Sequence, residues 1–173
     1  MKFRDIPQMS QANYAVSVSW SYLESWLDHN SSEGTTLEMD PEYQRGYVWS
    51  DEQKTAYCEY TLKGGMSGQD IFWNCASWMK KFDSPVEIVD GKQRISAVLD
   101  FLHNKIKVFG HYYKDFEDRL DPIEPRFTFH VNDLEDPIEV VQWYLDMNTG
   151  GSIHTEKDLK PAREMLARLK GEK

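Results

Sequence analysis

The sequence predicts an α+β fold, and three observations predict it. Val86-Glu-Ile-Val89 is the short apolar run of a buried strand. Directly after it, Ile95, Val98, Leu99 and Leu102 fall at the i, i+3, i+4, i+7 spacing of an amphipathic helix. The change of period recurs along the chain, with strand patterns at 71–75 and 126–131 and helix patterns at 51–62 and 137–147. Finally, 173 residues with six Trp, nine Tyr and eight Phe suit one domain that buries roughly 70% of its unfolded surface. The expected organisation is a single domain over residues 1–173, with 1–15 as a loose arm.

In chain order, Val18, Tyr22, Trp26 and Leu27 recur at helical spacing and predict a helix over 16–29, stopped by Asn30-Ser-Ser-Glu-Gly34. Thr35 to Met39 reads as a short strand. Asp40-Pro-Glu-Tyr-Gln-Arg-Gly-Tyr-Val-Trp-Ser50 is a structured loop, since Pro41 blocks a central strand and Gly46 permits unusual backbone angles. Its aromatics, Tyr43, Tyr47 and Trp49, read as core anchors. Gln44 and Arg45 between them are either aimed at a site by that packing or, for Arg45, held in an ordinary salt bridge. Ser50-Asp-Glu-Gln53 is a helix start with the two ends of a capping box. That helix runs to about Leu62 and ends at Gly64-Gly65. Gly64-Gly-Met-Ser-Gly68 lacks the Lys-Ser/Thr ending of a phosphate-binding P-loop and reads as a connection. Lys105 to Tyr113 looks strand-like. Thr155-Glu-Lys-Asp158 opens a charged terminal helix carrying Leu159, Met165, Leu166 and Leu169.

The stretch with the most chemistry is the joint between the 86–89 strand and its helix. Asp90-Gly91 makes a sharp turn, and Lys92, Gln93 and Arg94 occupy the first helical turn. Backbone N–H groups there lack intrahelical partners, and the helix dipole adds positive potential. Cations at that end are poor for the helix alone, but an anionic ligand, phosphate above all, reverses the argument. Asp90 either caps the helix or holds a metal ion or water. Asn148-Thr149-Gly150-Gly151 is either a helix C-cap leading into an N-cap or a glycine loop that lets backbone approach a ligand.

Composition narrows the function classes. A net charge of −9 argues against a general nucleic-acid binder. Cys58 and Cys75 form no tight pattern, which fits a reducing cytoplasm better than a disulfide scaffold. No signal-peptide core and no membrane-spanning apolar run are present, so the expectation is a cytoplasmic protein away from membranes. The five histidines show no metal-ligand spacing, and no Gly-x-Ser-x-Gly elbow occurs.

Pro41-Glu-Tyr-Gln-Arg-Gly-Tyr-Val-Trp49, then Ile88-Val-Asp-Gly-Lys-Gln-Arg94, then Met147-Asn-Thr-Gly-Gly151, in that order, resemble the N-terminal domain of GmrSD-type modification-dependent restriction enzymes. The resemblance implies a compact ParB/sulfiredoxin-like fold with a small mixed sheet and flanking helices. It also implies a module that binds a nucleoside triphosphate and, in several members, hydrolyses it. The family's Asp-Gly-Gln-Gln-Arg motif, carried onto this chain, points to Asp90, Gly91, Gln93 and Arg94, with Lys92 in place of the first Gln. On that reading Asp90, Gln93 and Arg94 are the catalytic candidates, with Asp90 a ligand for Mg²⁺. Gln44, Arg45, Gly91, Lys92, Arg94 and Asn148 to Gly151 would surround the nucleotide. Phosphoryl chemistry depends on positioning and charge stabilisation, which these groups could supply.

The chain has no room for the His-Asn-His nuclease domain that many relatives attach, so a self-contained nuclease is not expected. The resulting expectation is an NTP-binding and hydrolysing module of phage–host conflict, acting with DNA or a partner nuclease. Two alternatives stay open: a non-catalytic decoy, inhibitor or regulatory binding protein, and phosphoryl transfer to a DNA or protein acceptor.

Overall fold

The computed structural model describes residues 6, 10, 12–31, 36–78, 80, 84–118, 120, 124–149 and 155–171. Among these residues, five strands are β1 (Tyr14–Ser19), β2 (Leu37–Glu38), β3 (Asp70–Asn74), β4 (Val86–Asp90) and β5 (Arg126–Asn132). Five helices are α1 (Leu23–His29), α2 (Asp51–Leu62), α3 (Lys92–Leu102), α4 (Pro137–Thr149) and α5 (Glu156–Lys170). The strands form one mixed sheet in the order β1-β5-β3-β4-β2. β1 runs antiparallel to β5 and β3 antiparallel to β4, while β3–β5 and β2–β4 are parallel. The α+β expectation with a small mixed sheet therefore holds.

Helices cover both faces of the sheet. On one, Val18, Ile71, Trp73, Val86, Ile88, Phe127 and Phe129 pack with Leu23 and Leu27 of α1, Tyr57 and Cys58 of α2, and Ile95, Val98 and Phe101 of α3. On the other, Val89 and Tyr43 pack with Val140, Val141, Tyr144 and Leu145 of α4 and with Leu159 and Ala162 of α5. Strand β4 is thus buried on both faces, which explains its near-continuous apolar run. No helix among the described residues is long and apolar enough to cross a membrane.

Local signals fixed several boundaries. Ser50 and Gln53 form the expected capping box of α2, as Thr155 and Asp158 do for α5. Elsewhere the structure corrects the expectation. The helix expected over 16–29 begins only at Leu23, after β1 and a single 3₁₀ turn at Trp20–Tyr22. Val16 and Val18 alternate with Ser17 and Ser19, a period of two that sets Val16 opposite Phe129 and Val18 opposite Phe127. Asn13 to Ala15, expected in the loose arm, belong to this sheet edge: Asn13 N–H donates to the Val131 carbonyl at 2.9 Å. The strand-like run 105–113 contributes only an isolated Val108–His111 bridge around Phe109 and Gly110, both at positive φ. Its backbone is held by α2 side chains instead. The Thr55 hydroxyl donates to the Lys107 carbonyl at 3.0 Å, and the Glu59 carboxylate accepts from Phe109 N–H at 2.9 Å. Helix α4 runs two residues past the expected Met147, so Asn148 and Thr149 are helical.

Glu87 of β4 is a polar residue on a strand buried on both faces. Burial pushes its carboxyl above the usual range; the Tyr43 hydroxyl moderates the shift and Glu38, its register partner on β2, adds to it. The Tyr43 hydroxyl lies near Glu87 without a well-formed hydrogen bond. Because the folded-state pKa is raised, the folded chain holds this proton more tightly than the unfolded one. The stability linked to Glu87 is therefore full in acid and is lost as pH rises through the folded-state value. Glu87→Gln is expected to raise the melting temperature at neutral pH, with a gain that shrinks to nothing below the ordinary carboxylate range. Melting curves of both proteins across that range check it, and an equal gain at every pH would contradict it.

Candidate functional site

The site is built on the β4–α3 joint. Gly91, at φ +109°, is the N-cap of α3, and no side chain caps the helix. Asp90 is therefore not a cap, which closes that alternative. A β-carbon on Gly91 would lie 2.4 Å from Cδ1 of the buried Ile71, so only glycine fits between the strand and the core at this turn. The amides of Lys92, Gln93 and Arg94 find no acceptor among the described residues, leaving three N–H donors at the positive end of the helix dipole.

The 40–49 loop folds back over this joint, and three of the expected site residues fasten it there. The Gln44 amide donates to the carbonyls of Ile88, at 2.5 Å, and Val89, at 3.0 Å. The Gln93 amide oxygen accepts from Val48 and Trp49 N–H at 3.1 and 3.3 Å, and its NH₂ donates to the Gly46 carbonyl at 3.0 Å. The Lys92 ammonium, 4% exposed, donates to Asp40 and to the Arg45 carbonyl and lies 5.2 Å from the Tyr47 ring centroid. The charge that Lys92 brings in place of an amide is thus spent on the loop. These contacts tie the carbonyl edge of β4 and the start of α3 to a segment with no regular structure, and the polar side chains of Gln44, Lys92 and Gln93 are tolerated there because each finds a partner.

What the loop and joint enclose is a cleft of about 230 Å³. Its floor is Asp90 to Arg94. One wall is Gln44, Arg45 and Trp49, and the other is Tyr144, Met147 and Asn148 on α4. The expected residues Gln44, Arg45, Asp90, Gly91, Lys92, Gln93, Arg94 and Asn148 all line it. Thr149 does not; it faces a surface groove between α4 and α5. Gly150 and Gly151 lie outside the described residues. Asn148 is 7% exposed and donates to the Tyr144 carbonyl one turn back at 2.7 Å. Trp49, expected as a core anchor, packs against the core and lines the cleft as well, and Tyr144 and Met147 join the wall without being among the expected site residues. Tyr144, Met147 and Asn148 fall at i, i+3, i+4 on α4, a helical face that spacing could have singled out.

The cleft's cations are already paired. Arg94 binds the Asp90 carboxylate one turn before it, and Arg45 Nη1 lies 3.4 Å from Asp158 on α5. The Tyr144 hydroxyl stands among these groups: burial raises its pKa, Arg45 lowers it, and Asp90 and Asp158 raise it further. It is therefore a neutral hydrogen-bond donor at neutral pH. The Cys58 thiol is pushed up to about 12 by burial, with Asp100 and Glu59 adding to the effect. Both cysteines are buried and neither lines the cleft, so neither is a nucleophile for this site.

Chemically, the arrangement offers three backbone donors, two arginines and one carboxylate around a space with aromatic and thioether walls. The volume is below the ~300–1,000 Å³ of pockets that engulf a drug-sized ligand, which suits a chain of phosphates with the rest of the ligand at the rim. Among the described residues no group of three His, Cys, Asp or Glu could hold a metal ion. A lone carboxylate such as Asp90 does fit Mg²⁺ that arrives with phosphates, because that ion takes one or two carboxylates and completes its shell with phosphate oxygens and water.

A family profile described as the N-terminal domain of the GmrSD restriction endonuclease matches residues 23–140. The match contains the 40–49 loop and the β4–α3 joint and ends within α4, before Tyr144 and α5. No curated protein and no solved structure matches the chain.

Proposed function

We propose, from the premise that this chain belongs to the family of GmrSD restriction endonuclease N-terminal domains, that it binds a nucleoside triphosphate in the cleft over the α3 N-terminus and hydrolyses it with Mg²⁺. Membership connects the chain with restriction and defence against phage. The finer reading is a nucleotide-operated module that works with DNA or a partner nuclease. The observation that supports it best is the meeting, in one cleft, of uncapped α3 amides with Arg94, Asp90 and Arg45. The amides and Arg94 would take phosphate oxygens. Asp90 would hold Mg²⁺ alongside the phosphates, and that ion would supply charge neutralisation during phosphoryl transfer. Arg45 would close on the phosphates from the loop, and Tyr144 would donate from the α4 wall. Calorimetric titration with ATP, GTP, CTP and UTP, each with and without Mg²⁺, tests binding; phosphate release on the same preparation tests turnover. A well-folded chain that binds none of the four would remove the reading.

One observation favours a second reading, a binding module without turnover. The Gln93 amide is committed to the loop backbone and the Lys92 ammonium to Asp40 and the Arg45 carbonyl, so neither is free to orient an attacking water. Asp90→Asn separates the two. Since Asp90 caps nothing, the substitution costs α3 no cap. If hydrolysis occurs, phosphate release should fall at least about tenfold, with affinity for the free triphosphate equal or higher because a negative charge has gone. Equal phosphate release from wild type and variant would take Asp90 out of the chemistry. Nucleotide binding with no release in either would establish the binding module.

A further inference from the structure

We infer that Arg45 is a latch through which occupancy of the cleft loosens helix α5. This rests on the nucleotide reading and adds a regulated element to it. Arg45 belongs to two structures at once: it lines the cleft, and its guanidinium pairs with Asp158 at 3.4 Å. Asp158 sits in the first turn of α5, where its carboxylate also accepts from the Thr155 amide and hydroxyl at 2.9 and 2.7 Å. The same loop reaches the far end of that helix, where Glu42 pairs with Arg168 at 3.1 Å. That second tie is exposed on both sides and weak.

Helix α5 is otherwise held along one face only: Leu159 and Ala162 are buried, with Met165 and Leu166 partly buried beside them, against α4 and the loop, and Pro161 removes a backbone donor from its interior. Elements with few buried apolar contacts open at low free-energy cost. Its first turn therefore depends on the Arg45–Asp158 pair more than a well-buried helix would. A triphosphate entering the cleft competes for the same guanidinium with more charge and a bidentate geometry. Arg45 turns inward, Asp158 keeps only its capping role, and the start of α5 loses its tie to the loop. The family match stops before α5, so the coupling joins a family-wide segment to one that the match does not cover.

The test uses hydrogen exchange and a double-mutant cycle on the full chain, with whichever of the four NTPs binds tightest, plus Mg²⁺, as the probe. Saturating nucleotide should speed amide exchange in the first two turns of α5 about fivefold or more. Arg45→Gln without nucleotide should produce a similar acceleration. Asp158→Asn keeps an acceptor for Thr155 and frees Arg45, so the probe should bind about three- to tenfold tighter. In the Arg45→Gln background that gain should vanish, whereas simple removal of a nearby negative charge would keep it. Unchanged or slowed α5 exchange on binding, or a gain that survives Arg45→Gln, overturns the latch and leaves nucleotide binding standing. If α5 unfolds in Asp158→Asn, as circular dichroism would reveal, the Arg45→Gln exchange result alone decides. Failure of every NTP to bind removes the latch together with the reading beneath it.

Discussion

Arg94→Ala is expected to weaken binding of the Mg²⁺-nucleotide complex by about 1.5–3 kcal/mol, a factor of roughly ten to 150. A charge-assisted hydrogen bond to phosphate disappears, while Asp90, which Arg94 now neutralises, is left to Mg²⁺ alone. Arg94→Lys keeps the charge but not the fork, so it should fall between wild type and alanine. Folding should change little, since Arg94 pairs with a partly exposed carboxylate on the floor of the cleft. Calorimetry on both variants, with melting curves as the control, checks this. Wild-type affinity in a folded Arg94→Ala chain would place the phosphates elsewhere.

Gly91→Ala is expected to destabilise the fold by about 3 kcal/mol, the sum of roughly 1–2 kcal/mol for a left-handed backbone with a β-carbon and 1–3 kcal/mol for overpacking. At this chain length that is a fall of about 6–12 °C in melting temperature. The clash is with the core: the new methyl would meet Cδ1 of Ile71 at 2.4 Å and its Cγ2 at 3.2 Å, and Ile71 is fully buried. Gly110→Ala is the matched control. Gly110 also has positive φ, at +79°, but a β-carbon there meets nothing within 4 Å, so only the backbone term, about 1 kcal/mol, should remain. Equal melting temperatures for the two variants would show that the contact with Ile71 is relieved at no cost.

The fold was most legible where its causes are local. A capping box needs only four consecutive residues, and both of those expected from the sequence, at Ser50 and Thr155, are formed. The amphipathic stripe of α3 likewise lies within one helix. Where the cause is a distant partner, the reading failed. Residues 16–22 carry enough apolar spacing to suggest a helix, and only β5 alongside turns the Val-Ser alternation into a strand. Residues 105–113 look like a strand, yet α2 takes up their backbone groups. At the cleft, the positions were readable and the directions were not. Nothing near Lys92, Gln93 or Gln44 in sequence says that their side chains turn to the 40–49 loop and β4. Each makes those contacts across more than forty residues of chain. The Asp90 cap failed for a subtler reason: the +109° turn at Gly91 makes the glycine itself the N-cap.

The order of strands in the sheet also sets a timetable for assembly. The loop and joint that form the cleft meet across 44 to 52 residues, as in Gln44 with Ile88 and Lys92 with Asp40. Strands β3 and β5 are joined across 60 residues at Asp70 and His130, and β1 waits for a partner up to 119 residues away, as at Asn13, just before it, and Asn132. Closing longer loops costs more entropy before any contact repays it, and pairings remote in sequence form slowly. On the ribosome, therefore, the two sides of the β4–α3 joint can come together while β1 is still single and one edge of β3 is bare. Tyr14-Ala-Val-Ser-Val-Ser19 carries no charge and no proline to discourage a stranger from pairing with it. Crowded synthesis of this chain should accordingly lose material through β1 and β3 in nascent molecules, and cooler, slower expression should recover it.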